Sequence, residues 1–148
     1  MNGKKKFLKS VFIIMFLILL TWISFEKEWK STWEYTDEEL NACIVAHTAP
    51  KVVNHSDEYT INIVVENTGA GVWSNEEDIK LCIWQDEFDW GYRIDLPDNV
   101  EVKSGEQYTF VLEGFSVLDK DATKLEFQMI KEGVTYFGER EAVRIKAV

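Results

Sequence analysis

Short runs of alternating apolar and polar residues recur from Leu40 to the end of the chain, and each run predicts a β-strand. One face of every run is polar, which is typical of antiparallel sheets that are solvated on one side. The alternation therefore predicts an all-β domain, an antiparallel β-sandwich. The residues expected to face its core are Tyr59, Ile61, Ile63, Val65, Ile79, Leu81, Ile83, Tyr108, Phe110, Leu112, Leu125, Phe127, Met129, Val143, Ile145 and Ala147.

Turn-forming residues separate these runs, as in NTGAG, LPDNVEVKSGE and KEG. Glycine and asparagine accept positive φ angles, and proline fixes an extended bend. Asn67 and Gly69 are expected to end one strand in a turn, and Trp73 to return as a large apolar plug over the end of the sandwich.

The first 25 residues have a different pattern, with four lysines before the apolar run VFIIMFLILLTWI. Lysines followed by such a run are typical of a secretory or membrane-targeting segment. Large side chains in TWISFEKEW oppose cleavage by a signal peptidase, so we expect an uncleaved transmembrane helix with the domain outside the cytoplasm. Cleavage and secretion is the alternative. Residues 26–39 are interpreted as a juxtamembrane spacer, and residues 40–148 as the domain.

The charge changes sign after this segment. From Ser31 onward there are 24 acidic residues against 10 basic ones, a net charge of −14. A chain of that charge is expected to repel nucleic acid and anionic membrane surfaces. Cationic ligands, neutral sugars and a basic protein partner remain open.

Four blocks beyond residue 40 resemble the four-tryptophan Ig-like domain, the type found centrally in the autophagy receptor "neighbour of BRCA-one" and also in secreted bacterial proteins. The blocks are NACIVAHTAP, YTINIVVENTGAGVW, WGYRIDLPDNVEVKSGEQYTFVLEG and LEFQMIKEGVTYFGE. Trp73 stands at the first tryptophan of that family and Trp90 at the next, whereas Phe127 and Tyr136 replace the other two. The resemblance implies an Ig-like sandwich that binds without catalysis. It makes Trp73, Trp90, Phe127, Tyr136 and Phe137 structural aromatic residues.

The two cysteines are Cys43 and Cys82, and an exported domain permits a disulfide between them. The expected strands at the usual Ig bridge positions carry no cysteine, so we expect two free thiols, with a Cys43–Cys82 disulfide as the alternative. No Cys-x-x-Cys motif and no spaced Cys/His cluster is present, and we expect no metal and no cofactor. Calcium binding by the acidic loops stays open.

An aromatic stretch that begins with the last residue of the run IKLCIW is the best candidate for a binding site. Its candidate residues are Trp84, Phe88, Tyr92 and Arg93. Trp84 falls on the strand face opposite the inward residues, and exposed aromatic residues beside arginine suit a protein hot spot or sugar stacking.

Three functions follow, in order of preference. The first is a membrane-anchored extracytoplasmic module that binds an envelope protein without catalysis. The second is a module for an extracellular polysaccharide such as a cell-wall glycan. The third is a small envelope hydrolase that uses the carboxylates between Asp86 and Asp98.

Overall fold

Two β-sheets face each other across one hydrophobic core in the computed structural model of the chain. The structure describes residues 38–86, 91–118 and 121–148. Within these residues it contains eight strands and no helix. The strands are β1 (Ala42–His47), β2 (Val52–Val53), β3 (Tyr59–Asn67), β4 (Ile79–Gln85), β5 (Tyr92–Asp95), β6 (Gln107–Phe115), β7 (Ala122–Lys131) and β8 (Thr135–Ala147). The predicted all-β class is confirmed.

One sheet has three strands in the order β1-β3-β6, and the other has five in the order β2-β8-β7-β4-β5. All pairings are antiparallel except that of β2 with β8, which is parallel. The expected N-terminal helix lies outside the described residues. In the described ranges no helix is long and apolar enough to cross a bilayer.

Burial follows the alternation predicted from the sequence. Ile61, Ile63 and Val65 of β3 are fully buried and meet the buried side chains of the opposite sheet in one core. Tyr59, Tyr108 and Val143 are only partly buried at its margin. Burying one large apolar side chain contributes roughly 1.5–3 kcal/mol, so this shared core accounts for the packing of the two sheets.

The stretch from Asn67 to Trp73 is held by the buried side chain of Asn67. Its Nδ2 donates to the carbonyl oxygens of Gly71 (2.7 Å) and Val102 (2.9 Å), and its Oδ1 accepts from the Gly69 amide (3.1 Å). The turn also backs onto the segment before β1, because the Gly69 and Thr68 amides both donate to the Asn41 carbonyl. A side chain at Gly69 would collide with the backbone of Glu39.

This arrangement seats Trp73 in the core, as the sequence predicts. The Trp73 amide donates to the Val102 carbonyl at 3.0 Å and the reverse bond measures 2.9 Å. The indole ring is completely buried and meets Phe137 edge-to-face at 5.9 Å. Trp73 and Phe137 thus fill the same end of the core.

The β8 strand contains a bulge opposite Gln128. Met129 pairs with Phe137 and Phe127 pairs with Glu141, so β8 carries two more residues than β7 between these pairs. Gly138 has a positive φ of 70° there, and a Cβ on it would lie 2.6 Å from the Ala42 carbonyl oxygen. The bulge therefore brings β8 against β1, where the two sheets meet.

Replacing Asn67 with alanine should destabilise the fold by about 3 kcal/mol, because it removes three hydrogen bonds that the buried side chain makes to the backbone, each contributing about 1 kcal/mol. Urea denaturation of the variant checks this through the unfolding midpoint. The control is Asn62→Ala, on the outer side of the same strand, where we expect a change within about 0.5 kcal/mol. Equal effects of the two substitutions would contradict the role given to Asn67.

Gly138→Ala should destabilise more than Gly133→Ala, although both glycines have a positive φ near 70°. The backbone conformation alone costs about 1–2 kcal/mol with any non-glycine residue. Nothing lies near a Cβ on Gly133, whereas one on Gly138 meets the backbone of Ala42, which adds roughly 1–3 kcal/mol of overpacking. Thermal unfolding of both variants measures the difference, and similar melting temperatures would refute it.

Candidate functional site

The outer face of the five-stranded sheet carries a cluster of two aromatic and two arginine side chains, here called the aromatic cluster: Trp84, Tyr136, Arg93 and Arg140. Each side chain comes from a strand position that alternates away from the core. The Trp84 and Tyr136 rings lie 5.3 Å apart at 47°. The Arg140 guanidinium lies over the Trp84 ring, 4.5 Å from its centroid, and that of Arg93 lies 5.9 Å from the Tyr136 centroid. Cation–π contacts of this kind hold both arginines against the aromatic rings.

Both arginines are also fixed by carboxylates. Arg140 makes a forked contact with Glu126, whose two oxygens accept from Nε and Nη2 at 3.1 Å each. Arg93 Nε donates to Glu132 at 3.0 Å, and its Nη2 donates to the Tyr136 hydroxyl at 3.2 Å. A planar guanidinium with several fixed donors is preorganised, so a ligand that meets it loses less conformational entropy.

Cys82 lies beneath this cluster and is fully buried. Its sulfur accepts a hydrogen bond from Arg93 Nη1 at 2.9 Å, and the same nitrogen donates to the Gly91 carbonyl. Burial raises the pKa of the Cys82 thiol, while the nearby Arg93 charge acts in the opposite direction. The thiol is therefore neutral at physiological pH and serves as an acceptor for Arg93 rather than as a nucleophile.

Cys43 is on the other sheet, and both cysteines are free thiols. The Cys43 thiol donates to Glu139 at 3.5 Å. This hydrogen bond to Glu139 raises the pKa of Cys43, with smaller contributions from desolvation and nearby acidic charges.

Two of the four residues predicted for the site are brought together. Arg93 and Trp84 share the outer face. Arg93 pairs with Cys82, and Trp84 lies two residues after Cys82 along β4 and therefore on the same face. Tyr92 pairs with Ile83, whose side chain points to the core, so Tyr92 takes the opposite face of the edge strand and is 63% exposed there. Phe88 lies outside the described residues, as does Trp90.

Tyr136 joins the site instead. The family resemblance makes it a structural aromatic residue, yet it is 44% exposed on the outer face, while its neighbour Phe137 enters the core. Tyr136 pairs with Ile130 and Phe137 with Met129, and successive residues of a strand alternate between faces. Alternation through YFGE, with Phe137 facing the core, was the sequence signal that places Tyr136 on the outer face. The bulge that brings Arg140 over Trp84 had no such signal.

Three of the carboxylates considered for hydrolysis lie in the described ranges, and each of these three is bound to a different structural partner. Asp86 accepts the Lys124 amide at 2.8 Å, Asp95 pairs with Lys80 at 2.9 Å, and Asp98 accepts from the Asn75 amide group at 2.7 Å. Across residues 38–86, 91–118 and 121–148, no three His, Cys, Asp or Glu side chains are grouped as metal ligands would be.

Comparison with protein-family models gave no match, and comparison with curated proteins gave none either.

Glu126 gives the aromatic cluster a predictable response to pH. Its hydrogen bond to Lys124 lowers its pKa below the ordinary value; burial opposes the shift and Arg140 adds to it. A carboxyl whose pKa is lower in the folded state stabilises that state at pH above its unfolded value, near 4.3, and this contribution disappears as the pH falls through the folded value.

An NMR titration of the Glu126 carboxyl should therefore give a midpoint below the ordinary glutamate value. Lys124→Met should raise that midpoint, because it removes the main cause of the shift. Lys103→Met, which changes a lysine on a loop away from β7, is the matched control and should leave it unchanged. A wild-type midpoint at or above about 4.3 would be inconsistent with the ion pairs described.

Proposed function

We propose that this chain is a non-catalytic binding module that recognises a protein partner through the aromatic cluster. The observation that carries the proposal is the joint presence of Trp84, Tyr136, Arg93 and Arg140 on one sheet face, fixed by ion pairs and ring contacts. Tryptophan, tyrosine and arginine are the residue types that dominate binding energy at protein interfaces. Their mutual contacts here reduce the entropy that a partner would have to overcome.

A protein partner suits this geometry better than a glycan. Sugars stack on an open aromatic face, and Arg140 covers one face of the Trp84 ring while it is held by Glu126. Stacking on that face would require the ion pair to open. A protein surface can instead contact the edges of the rings and the arginine side chains without moving them.

A binding role also agrees with the separate hydrogen-bond and ion-pair partners of the carboxylates. Hydrolysis by two acids requires both groups to flank one bond, at roughly 5–9.5 Å from each other. Asp86, Asp95 and Asp98 each serve a different backbone or side-chain partner. We therefore propose binding in place of a small envelope hydrolase.

The proposed address is the outer side of a cell membrane, with an envelope protein as the partner. The support is the lysine-led apolar segment at the N-terminus, which lies outside the described residues. The proposed fold type is Ig-like, and its support is the blocks of sequence resemblance together with the two facing sheets.

Mild cross-linking of the full chain in its native host, followed by capture, tests the proposed function. Trp84→Ala should reduce recovery of a specific envelope protein, and affinity measured with that partner should fall by about thirtyfold, as for a hot spot of about 2 kcal/mol. Tyr92→Ala is the matched control, because it removes an exposed tyrosine from the opposite side of β5, and binding should be retained.

Two results would count against this function. One is equal recovery of the partner by the wild type and by Trp84→Ala. The other is quenching of tryptophan fluorescence by soluble wall polysaccharides, abolished by Trp84→Phe, which would favour the glycan module instead.

A further inference from the structure

The outer face of the five-stranded sheet is basic, although the chain is acidic. Six of the nine lysine and arginine residues in the described ranges lie on strand positions that alternate to this face. They are Lys80, Arg93, Lys124, Arg140, Arg144 and Lys146. Asp95 and Glu126 on the strands, Asp78 before β4 and Glu132 at the β7–β8 turn form ion pairs with them there. The positive charge of the domain is thus concentrated around the aromatic cluster.

One part of this face, here called the basic corner, consists of Lys124, Arg144 and Lys146. Lys124 lies directly opposite Arg144 in the β7–β8 ladder, and Lys146 follows Arg144 on the same face. Like charges directly opposite each other in a sheet are destabilising. Lys124 pairs with Glu126 at 3.0 Å, whereas no described residue forms an ion pair with Arg144 or Lys146.

Arg144 and Lys146 of the basic corner are therefore not neutralised within the described residues, and Arg144 lies opposite the like charge of Lys124. All three side chains of the basic corner are exposed. A negatively charged ligand would remove the repulsion on binding. The adjoining arginines already show how carboxylates fit here, since Glu126 and Glu132 each accept charge-assisted hydrogen bonds from a guanidinium.

We infer that the outer face of the five-stranded sheet binds a short acidic segment of the partner protein, with carboxylates on the basic corner and apolar groups on the aromatic cluster. This inference rests on the proposed function and adds the chemistry of the partner. Charge complementarity of this kind sets specificity and speeds association.

The size of the face favours a short peptide segment over an extended polyanion. From β5 to β8 there are three strand spacings of about 4.8 Å, roughly 14 Å in all. About four or five residues of extended chain cover that distance. Beyond it the surface is mostly acidic, since the chain carries a net charge of −14 from Ser31 onward. A long anionic polymer would be repelled wherever it left the face.

The test uses the full chain in a non-ionic detergent and a fluorescently labelled, glutamate-rich peptide that also contains phenylalanine. Fluorescence anisotropy should show binding that weakens as salt rises from about 0.05 M to about 0.3 M, because exposed charge pairs are screened. Arg144→Glu should weaken binding by about tenfold or more. Lys103→Glu makes the same change of charge on a loop away from the face, and it should alter affinity by less than about twofold.

A second readout separates binding from folding. Arg144→Glu places a carboxylate opposite Lys124, so its melting temperature should equal or exceed that of the wild type. Loss of peptide binding in a variant of undiminished stability supports the acidic-segment inference.

Four outcomes would overturn the inference. The first is that the peptide does not bind at low salt. The second is that Arg144→Glu and Lys103→Glu change the affinity equally. Another is that heparin or a thymidine oligonucleotide binds the face and the acidic peptide does not compete, which would identify a polyanion as the ligand. The last is that sedimentation shows concentration-dependent self-association that Arg144→Glu abolishes, which would identify a second copy of the chain as the partner. In each case a partner that depends on Trp84 would leave the proposed binding function intact, and loss of that dependence would refute the function itself.

Discussion

The hydrogen bonds of Asn67 are the constraint on which the arrangement of both sheets depends. A buried amide without partners costs stability, and here the side chain bonds to three backbone groups of two separate loops while its own backbone bonds to Gly105 and Glu106. The loop after β3 is thereby fixed against the loop that contains Val102. Trp73 consequently enters the core from one side and meets Phe137 of the opposite sheet.

The same long strand that contributes Phe137 to the core contributes its neighbours to the surface. Alternation along β8 gives Phe137 and Ile145 to the interior and Tyr136, Arg144 and Lys146 to the outer face. Packing of the interior residues therefore fixes the positions of the exposed ones. The candidate site is held by the sheet itself rather than by a flexible loop, which suits a surface that recognises one partner without rearrangement.

Local periodicity was sufficient to predict the class of the fold and the inward residues of β3, β4 and β7, because burial on one face leaves a two-residue repeat. It also indicated the turn at Asn67 and the plug at Trp73. The division into three and five strands depends on pairings between distant residues and has no local signal. The net charge of the chain does not predict the basic outer face for a similar reason. The strand order determines that Arg93, Lys124 and Arg144 share that face. The placement of Tyr136 beside Trp84 likewise depends on β4 and β8 flanking β7.

The β8 bulge has a consequence for how this chain can vary. The bulge adds two residues relative to β7, and an even number leaves the inside–outside alternation of the strand unchanged on both sides. Shortening or lengthening β8 there by two residues keeps Phe137 and Ile145 inside, whereas a single insertion would exchange core and surface for half of the strand. Insertion or deletion of two residues at the bulge can therefore replace the arginine that covers Trp84, while Phe137 and Ile145 keep their places in the core.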